Sequence, residues 1–345
     1  MTKKIEIKKL IILLLKIILI IFLVISLNLV FMPKYINENP DGRIVAEYYR
    51  EKYDPQVLFL GSSTVYSAVS PVYMYEKYGF TSYVRATSSQ PSWVTYNILK
   101  ESLKYHTPKL VCIDIGFNRE ADDYAEEVSN RKVYDYMRFS DVKIEGIKDA
   151  AADIESITDY MFPIFRYHSR WNDLEFDDFK YAFYKPSVTY NGYIIDYITE
   201  APDSQRVSMD EADDHPLTSR NEDYLRRTIE LCMDNSIDVM LMKVPSYNAK
   251  WGPVLEADFN RIAKEYNIEY KDYDSCFDEF DWEEDTPDGG SHLNTLGAEI
   301  FSGILGADIA SMEVIKEDNL DSDVIRIWQD KTERYENNKI KLRGE

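Results

Sequence analysis

The sequence predicts an α/β protein: a parallel sheet with helices on both faces, carried behind one membrane-spanning helix. Three observations predict it. Val57 to Leu60 and Lys109 to Gly116 are near-continuous apolar runs, as strands covered on both faces require. Segments of helical periodicity alternate with them, giving β-α-β-α-β within about 60 residues, which connection rules turn into a parallel three-layer α/β/α arrangement. Finally, Leu10 to Phe31 is a run of about 22 residues of Leu, Ile, Val and Phe, broken by Lys16, Ser26 and Asn28 and long enough to span a bilayer.

The apolar run comes first. Lys3, Lys4, Lys8 and Lys9 precede it, which keeps the N-terminus cytoplasmic and puts the main domain outside the cell membrane. Lys16 lies close enough to the basic end to snorkel. A cleaved signal peptide is the alternative reading, but the run exceeds a typical signal core and lacks a small-x-small cleavage pattern. Residues 1–32 are thus a cytoplasmic start and anchor with residues 10–31 in the lipid bilayer, and 33–55 are a polar connector with a short helix around Ile44 to Lys52.

The α/β domain occupies 56–312. Its first strand, Val57 to Leu60, ends in Gly61-Ser62-Ser63, and helical pattern resumes by Tyr73 to Tyr78. Ser82 to Ala86 reads as a second strand, Ser92 to His106 as a helix with Pro91 in its first turn, and Lys109 to Gly116 as the next strand. From about 120 to 220 the rhythm loosens into a helical insertion, of the kind that forms a lid or substrate cap. Helix, strand, helix and strand then follow at Asn221 to Asn235, Ile237 to Val244, Leu255 to Tyr266 and Ile268 to Tyr273. Asp285 to His292 is a loop, Asn294 and Thr295 cap a last helix, and 313–345 is a charged C-terminal tail read as a surface helix with a frayed end.

Composition narrows the function classes. At 45% hydrophobic and 14% aromatic the chain has ample material for a core. Its net charge is −21, and because residues 1–31 hold five lysines and one glutamate, the remainder carries −25. Such a surface repels phosphate backbones, which excludes nucleic acid as a partner. Cys112, Cys232 and Cys276 have no metal-ligand spacing, and neither a metal nor an organic cofactor is called for.

Chemistry concentrates at a few residues. Ligands of parallel sheets sit beyond the carboxyl ends of the strands, where Ser63 falls as a nucleophile. A serine that merely caps a helix is the bland reading of the same tripeptide. Of the four histidines, His106 reads as a helix end and His215 sits in an acidic loop. His292 lies in Asp288-Gly289-Gly290-Ser291-His292, after the last strand, where it can reach back over the sheet as a base with Asp288 fixing its tautomer. His168, Arg170 and Trp171, in the aromatic passage of the insertion, are candidates for contacting a sugar or an acyl carrier, or else form that insertion's own small core.

These motifs resemble the SGNH or GDSL-like hydrolases, and in particular the membrane-anchored branch that includes teichoic-acid D-alanylation and alginate O-acetylation proteins. The resemblance covers roughly 55 to 310 and implies a flavodoxin-like three-layer domain. Gly61-Ser62-Ser63 is similar to the family's Gly-Asp-Ser, which implies Ser63 as nucleophile. Gly116-Phe117-Asn118 resembles its Gly-x-Asn block, which implies the Asn118 side chain as an oxyanion donor, with Arg119 where the family has aspartate. The family's second-block glycine falls near Ser89, whose N–H takes that donor's place. Its Asp-x-x-His is met by Asp288 one residue early, and His292-Leu293-Asn294 with Gly297-Ala298 is similar to the anchored branch.

The resemblance implies an extracytoplasmic serine O-acyl esterase or O-acyltransferase acting on small, acetyl-like esters of cell-envelope glycans. Its partners are then a glycan or acyl carrier and a membrane-bound O-acyltransferase. The rival reading is a non-catalytic module of the same fold that binds a glycan or acyl-carrier partner.

Overall fold

The computed structural model describes residues 2–34, 41–119, 127–151, 154–184, 187–212, 214–316 and 320–343. The chain divides into two compact units, one of residues 1–39 and 151–187, the other of 40–150 and 188–345.

The larger unit holds a five-stranded parallel sheet: β1 (Val57–Gly61), β2 (Ser82–Ala86), β3 (Leu110–Asp114), β4 (Asp238–Lys243) and β5 (Glu269–Asp272). Strand order is β2-β1-β3-β4-β5, the doubly wound flavodoxin-like order. Leu58 faces Tyr83 on one side and Val111 on the other, and Cys112 pairs with Met240. β1, β2 and β3 are buried throughout, which explains their unbroken apolar character. The charged exceptions are Asp114, which ends β3, and, within β2, Arg85. It is fully buried and paired with Glu101 at 3.0 Å, and its Nη1 donates to the Val45 carbonyl at 2.9 Å.

Side-chain alternation sends Val57, Phe59, Val84, Leu110, Cys112, Met240 and Met242 into one core, with Val65, Met74, Phe301 and Leu305 from the helices above them. The crossover after β1 is two helices, Ser63–Ala68 and Pro71–Tyr78, rather than one. The break at Val69 and Ser70 is sealed by Ser302, whose Oγ accepts from Ser70 N at 2.8 Å and donates to Ala68 O at 3.2 Å. Helices Ser92–Ser102 and Ser219–Asp234 pair through Ser92 Oγ and Asn221 Oδ1, 2.6 Å apart.

The C-terminal stretch is more than a charged tail. Helix Ser322–Arg343 buries Trp328 and Tyr335 completely, in a second apolar cluster with Val72, Tyr190, Tyr193 and Ala298. The Trp328 ring stacks on Tyr75 with centroids 4.8 Å apart.

The smaller unit contains helix Thr2–Phe31, of which Ile7–Phe31 is long and apolar enough to cross a membrane. With it go helices Ile154–Met161, Pro163–Tyr167 and Phe176–Phe183 and the 3-10 turn His168–Asn172. The insertion read from sequence therefore splits: 151–187 joins the apolar helix, and the rest joins the sheet unit.

Candidate active site

β1 ends in a turn that only glycine fits. A Cβ on Gly61 would stand 2.4 Å from Val65 Cγ2 and 2.8 Å from Asp114 Cβ. The chain therefore bends sharply between β1 and β3 and releases Ser62 as the N-cap and Ser63 as the first residue of a short helix. Beneath them, Thr64 Oγ1 donates to Asp114 Oδ2 at 3.0 Å and lies 3.1 Å from Ser62 Oγ. Asp114 also accepts from Val244 N at 3.3 Å, tying the ends of β3 and β4 together. Burial raises the Asp114 carboxyl above its ordinary range, against Lys250 and these hydrogen bonds, which pull it down.

His292 arrives from the loop before helix Thr295–Ser311. Its Nε2 lies 2.7 Å from Ser63 Oγ, and its Nδ1 is hydrogen-bonded to Asp288 Oδ2. Asp288 Oδ1 accepts from the His292 backbone N–H at 3.0 Å, so the carboxylate holds both the ring and the backbone that carries it. Burial raises the Asp288 carboxyl, but the His292 ring and the His292 and Ser291 N–H groups outweigh it and hold it below its usual range. The spacing of four residues is bridged by two left-handed glycines, Gly289 (φ +71°) and Gly290 (φ +95°). Gly290 N donates to Thr286 Oγ1 at 2.7 Å and its carbonyl accepts from Tyr247 N at 2.9 Å, which pins the turn.

A cavity of about 300 Å³ opens at this point, lined by Ser63, His292, Gly116, Phe117, Asn248 and Lys250 among others. It lies beyond the carboxyl ends of β1, β3 and β4, where the strand order reverses. Ser63, His292 and Asp288 are thus brought into one hydrogen-bonded chain at its wall.

The structure does not gather the remaining site candidates there. Asn118 is buried and gives its backbone N–H to Ile115 O at 3.0 Å, while its neighbours Phe117 and Arg119 line the cavity. Ser89 is not among the lining residues, but its φ of +53° is the left-handed conformation that glycine favours, at the position where the sequence motif expects a glycine. His168, Arg170 and Trp171 belong to the smaller unit. There His168 Nδ1 bonds Phe165 O at 2.7 Å, and Arg170 bonds Asp178 at 2.9 Å and the Phe31 carbonyl. Of the other histidines, His106 pairs with Asp54 at 3.0 Å and His215 with Pro216 O at 2.8 Å.

Sequence reasoning missed the 244–250 loop, which supplies Ser246, Asn248, Ala249 and Lys250 to the cavity. Its position directly after β4 was the available signal. Burial pushes the Lys250 ammonium down, against the attraction of Asp114 and Asp274.

No family model matches the chain, and no curated protein does. Among solved structures it is similar to a candidate acylhydrolase from Bacteroides fragilis, at 14% identity and a TM-score of 0.37, covering 76% of this chain and 93% of that one. It is similar also to a lipase/acylhydrolase from Enterococcus faecalis, at 10% identity and a TM-score of 0.37, covering 74% of this chain and 94% of that one. A GDSL-like lipase from Bacteroides thetaiotaomicron aligns at 13% identity and a TM-score of 0.35, over 80% of this chain and 98% of that one.

Proposed function

We propose that this chain is a membrane-anchored serine ester hydrolase or acyltransferase of the SGNH type. The observation that carries the reading is the 2.7 Å approach of His292 Nε2 to Ser63 Oγ with Asp288 behind the ring. In that arrangement Ser63 Oγ attacks an acyl carbonyl while its proton passes to His292 Nε2. The tetrahedral intermediate collapses to an acyl-serine, and the departing alkoxide takes the proton from His292. Water or an acceptor hydroxyl then attacks the acyl-serine, gives its proton to His292 and restores Ser63. The Ser63 backbone N–H is assigned to the oxyanion; Asn118 and Ser89, which the motif resemblance would add, do not line the cavity.

The substrate proposed is a small acyl ester of a cell-envelope glycan, handled outside the membrane with a membrane-bound O-acyltransferase as partner. The apolar helix with lysines before it supports the anchoring and the topology, and the modest cavity supports a small acyl group. A second reading, a binding module without turnover, is favoured by one observation: neither Asn118 nor Ser89 lines the cavity.

The test is a fluorophosphonate probe followed by peptide mass analysis of the full chain. An adduct on Ser63 that is lost in His292→Ala establishes the nucleophile. A folded chain that takes no adduct selects the binding module.

A further inference from the structure

The smaller unit presents aromatic side chains to solvent in a pattern its own packing does not explain. Helix Phe176–Phe183 turns Asp178 and Ala182 inward and leaves Phe176, Phe179 and Phe183 exposed at 80%, 50% and 62%. These three recur at helical spacing and form one apolar face directed away from the unit. Trp171 is 68% exposed just before them, and Phe165, six residues earlier in helix Pro163–Tyr167, is 55% exposed.

This surface is fastened to one end of the apolar helix. Ile164 N donates to Asn28 Oδ1 at 2.8 Å, and Arg170 reaches the carbonyl of Phe31, the final residue of the span. Arg170 is held in turn by Asp178 at 2.9 Å, and Lys34 lies 3.7 Å from the same carboxylate. The attachment points Asn28 to Phe31 make up the last turn of a helix that rises 1.5 Å per residue, so they stand where hydrocarbon gives way to headgroups. Trp favours that depth because its ring finds acyl chains on one side and water at its N–H, and Phe on an interfacial helix buries its ring at the same boundary.

Resting on the reading of Ile7–Phe31 as a membrane span, we infer that the face formed by Trp171, Phe176, Phe179 and Phe183 is a second membrane contact, lying in the outer headgroup region. Residues 154–184 are then a collar around the exit of the span, and its exposed aromatics are covered by lipid. This assigns Trp171 to the bilayer and not to a sugar.

Tryptophan emission tests this directly, since Trp93, Trp251, Trp282 and Trp328 are buried and Trp171 alone among the five is exposed. The full chain is reconstituted into phosphatidylcholine vesicles and compared with Trp171→Phe, so that the difference spectrum reports Trp171. With lipids brominated near the headgroup end of their acyl chains, most of the Trp171 emission is lost, while aqueous iodide quenches it little. Phe176→Trp in the Trp171→Phe background repeats the measurement on the neighbouring helix with the same result. Emission quenched by iodide and not by bromolipid, or protected from both by another protein surface or a second copy, in vesicles that retain the chain through an alkaline carbonate wash, overturns the inference alone. Release of the chain by carbonate overturns the anchoring and this inference together.

Discussion

Thr64 Oγ1 and Asp114 Oδ2 meet at 3.0 Å across the carboxyl ends of β1 and β3, directly under the residue that carries the candidate nucleophile. The carboxylate is buried, and the hydroxyl is one of the few donors that compensates it. Thr64→Val takes that donor away and leaves Asp114 short of a partner, at a cost of about 1–3 kcal/mol. Thr64→Ser, which keeps the hydroxyl, loses much less. Urea midpoints of the two variants give the comparison, and probe labelling of Ser63 falls in the first and holds in the second.

Asp288→Asn alters the partner of His292 Nδ1 without changing its size. Where the analogous carboxylate of a serine triad is replaced in this way, turnover falls by about 10⁴, and a loss of that order is expected here while the fold persists. Rates on a neutral nitrophenyl ester, read with circular dichroism, separate the two effects.

The same carboxylate makes stability depend on pH. Because its native value is held below the ordinary range, the unfolded chain takes up the proton first as pH falls below about 4. The stabilisation from Asp288 is complete above that range and is lost as pH drops through the depressed native value. In Asp288→Asn this part of the acid dependence disappears, which melting temperatures taken between neutral and acidic pH will show as a smaller fall than in the parent.

Gly289 and Gly290 separate strain from space. Both have positive φ, but a Cβ on Gly289 meets nothing closer than Pro202 Cα at 4.0 Å, whereas one on Gly290 stands 2.2 Å from Tyr247 Cβ. Gly289→Ala costs about 1–2 kcal/mol of backbone strain and keeps probe labelling. Gly290→Ala costs more and loses labelling, because the turn that aims Asp288 and His292 must move.

Ser89 offers the opposite case. A serine at φ +53° pays a left-handed penalty of about 1–2 kcal/mol that glycine avoids, partly offset by about 0.4–1 kcal/mol from the freer unfolded chain. Ser89→Gly is therefore expected to raise the melting temperature, and calorimetry measures it.

What could be read from sequence was local. The bend after β1 needs a glycine followed by small polar residues, so Gly61, Ser62 and Ser63 carried their own signal. The loop from Asp288 to His292 did so too, as a histidine among glycines just before a capped helix. What escaped depended on which elements become neighbours. Asp114 looked like the tail of an apolar strand, and only the adjacency of β3 to β1 makes it the support of Thr64. Lys250 entered the cavity because β4 lies beside β3. Trp328 and Tyr335 are seven residues apart on one helical face, but the charged residues around them masked that face. Nothing along the chain indicated that Ile164 and Arg170 attach to Asn28 and Phe31, since long-range partners leave no local periodicity.

Helix Ser322–Arg343 has a bearing on how the protein is made. Lys331 Nζ reaches Glu51 and Tyr53 at 2.8 Å, and Trp328 covers Tyr75, so a core begun at Glu51 to Tyr75 is completed by residues synthesised about 250 to 280 positions later. Domains tend to form as the chain emerges, N-terminal parts first. Here the aromatic seam around Tyr75, Tyr190 and Tyr193 stays open until Trp328 and Tyr335 have been made, about 7–28 seconds after Tyr193 at typical synthesis rates. Chaperones that shield exposed aromatics have their window in that interval, and a ribosome stalled before helix Ser322–Arg343 leaves the domain unlatched.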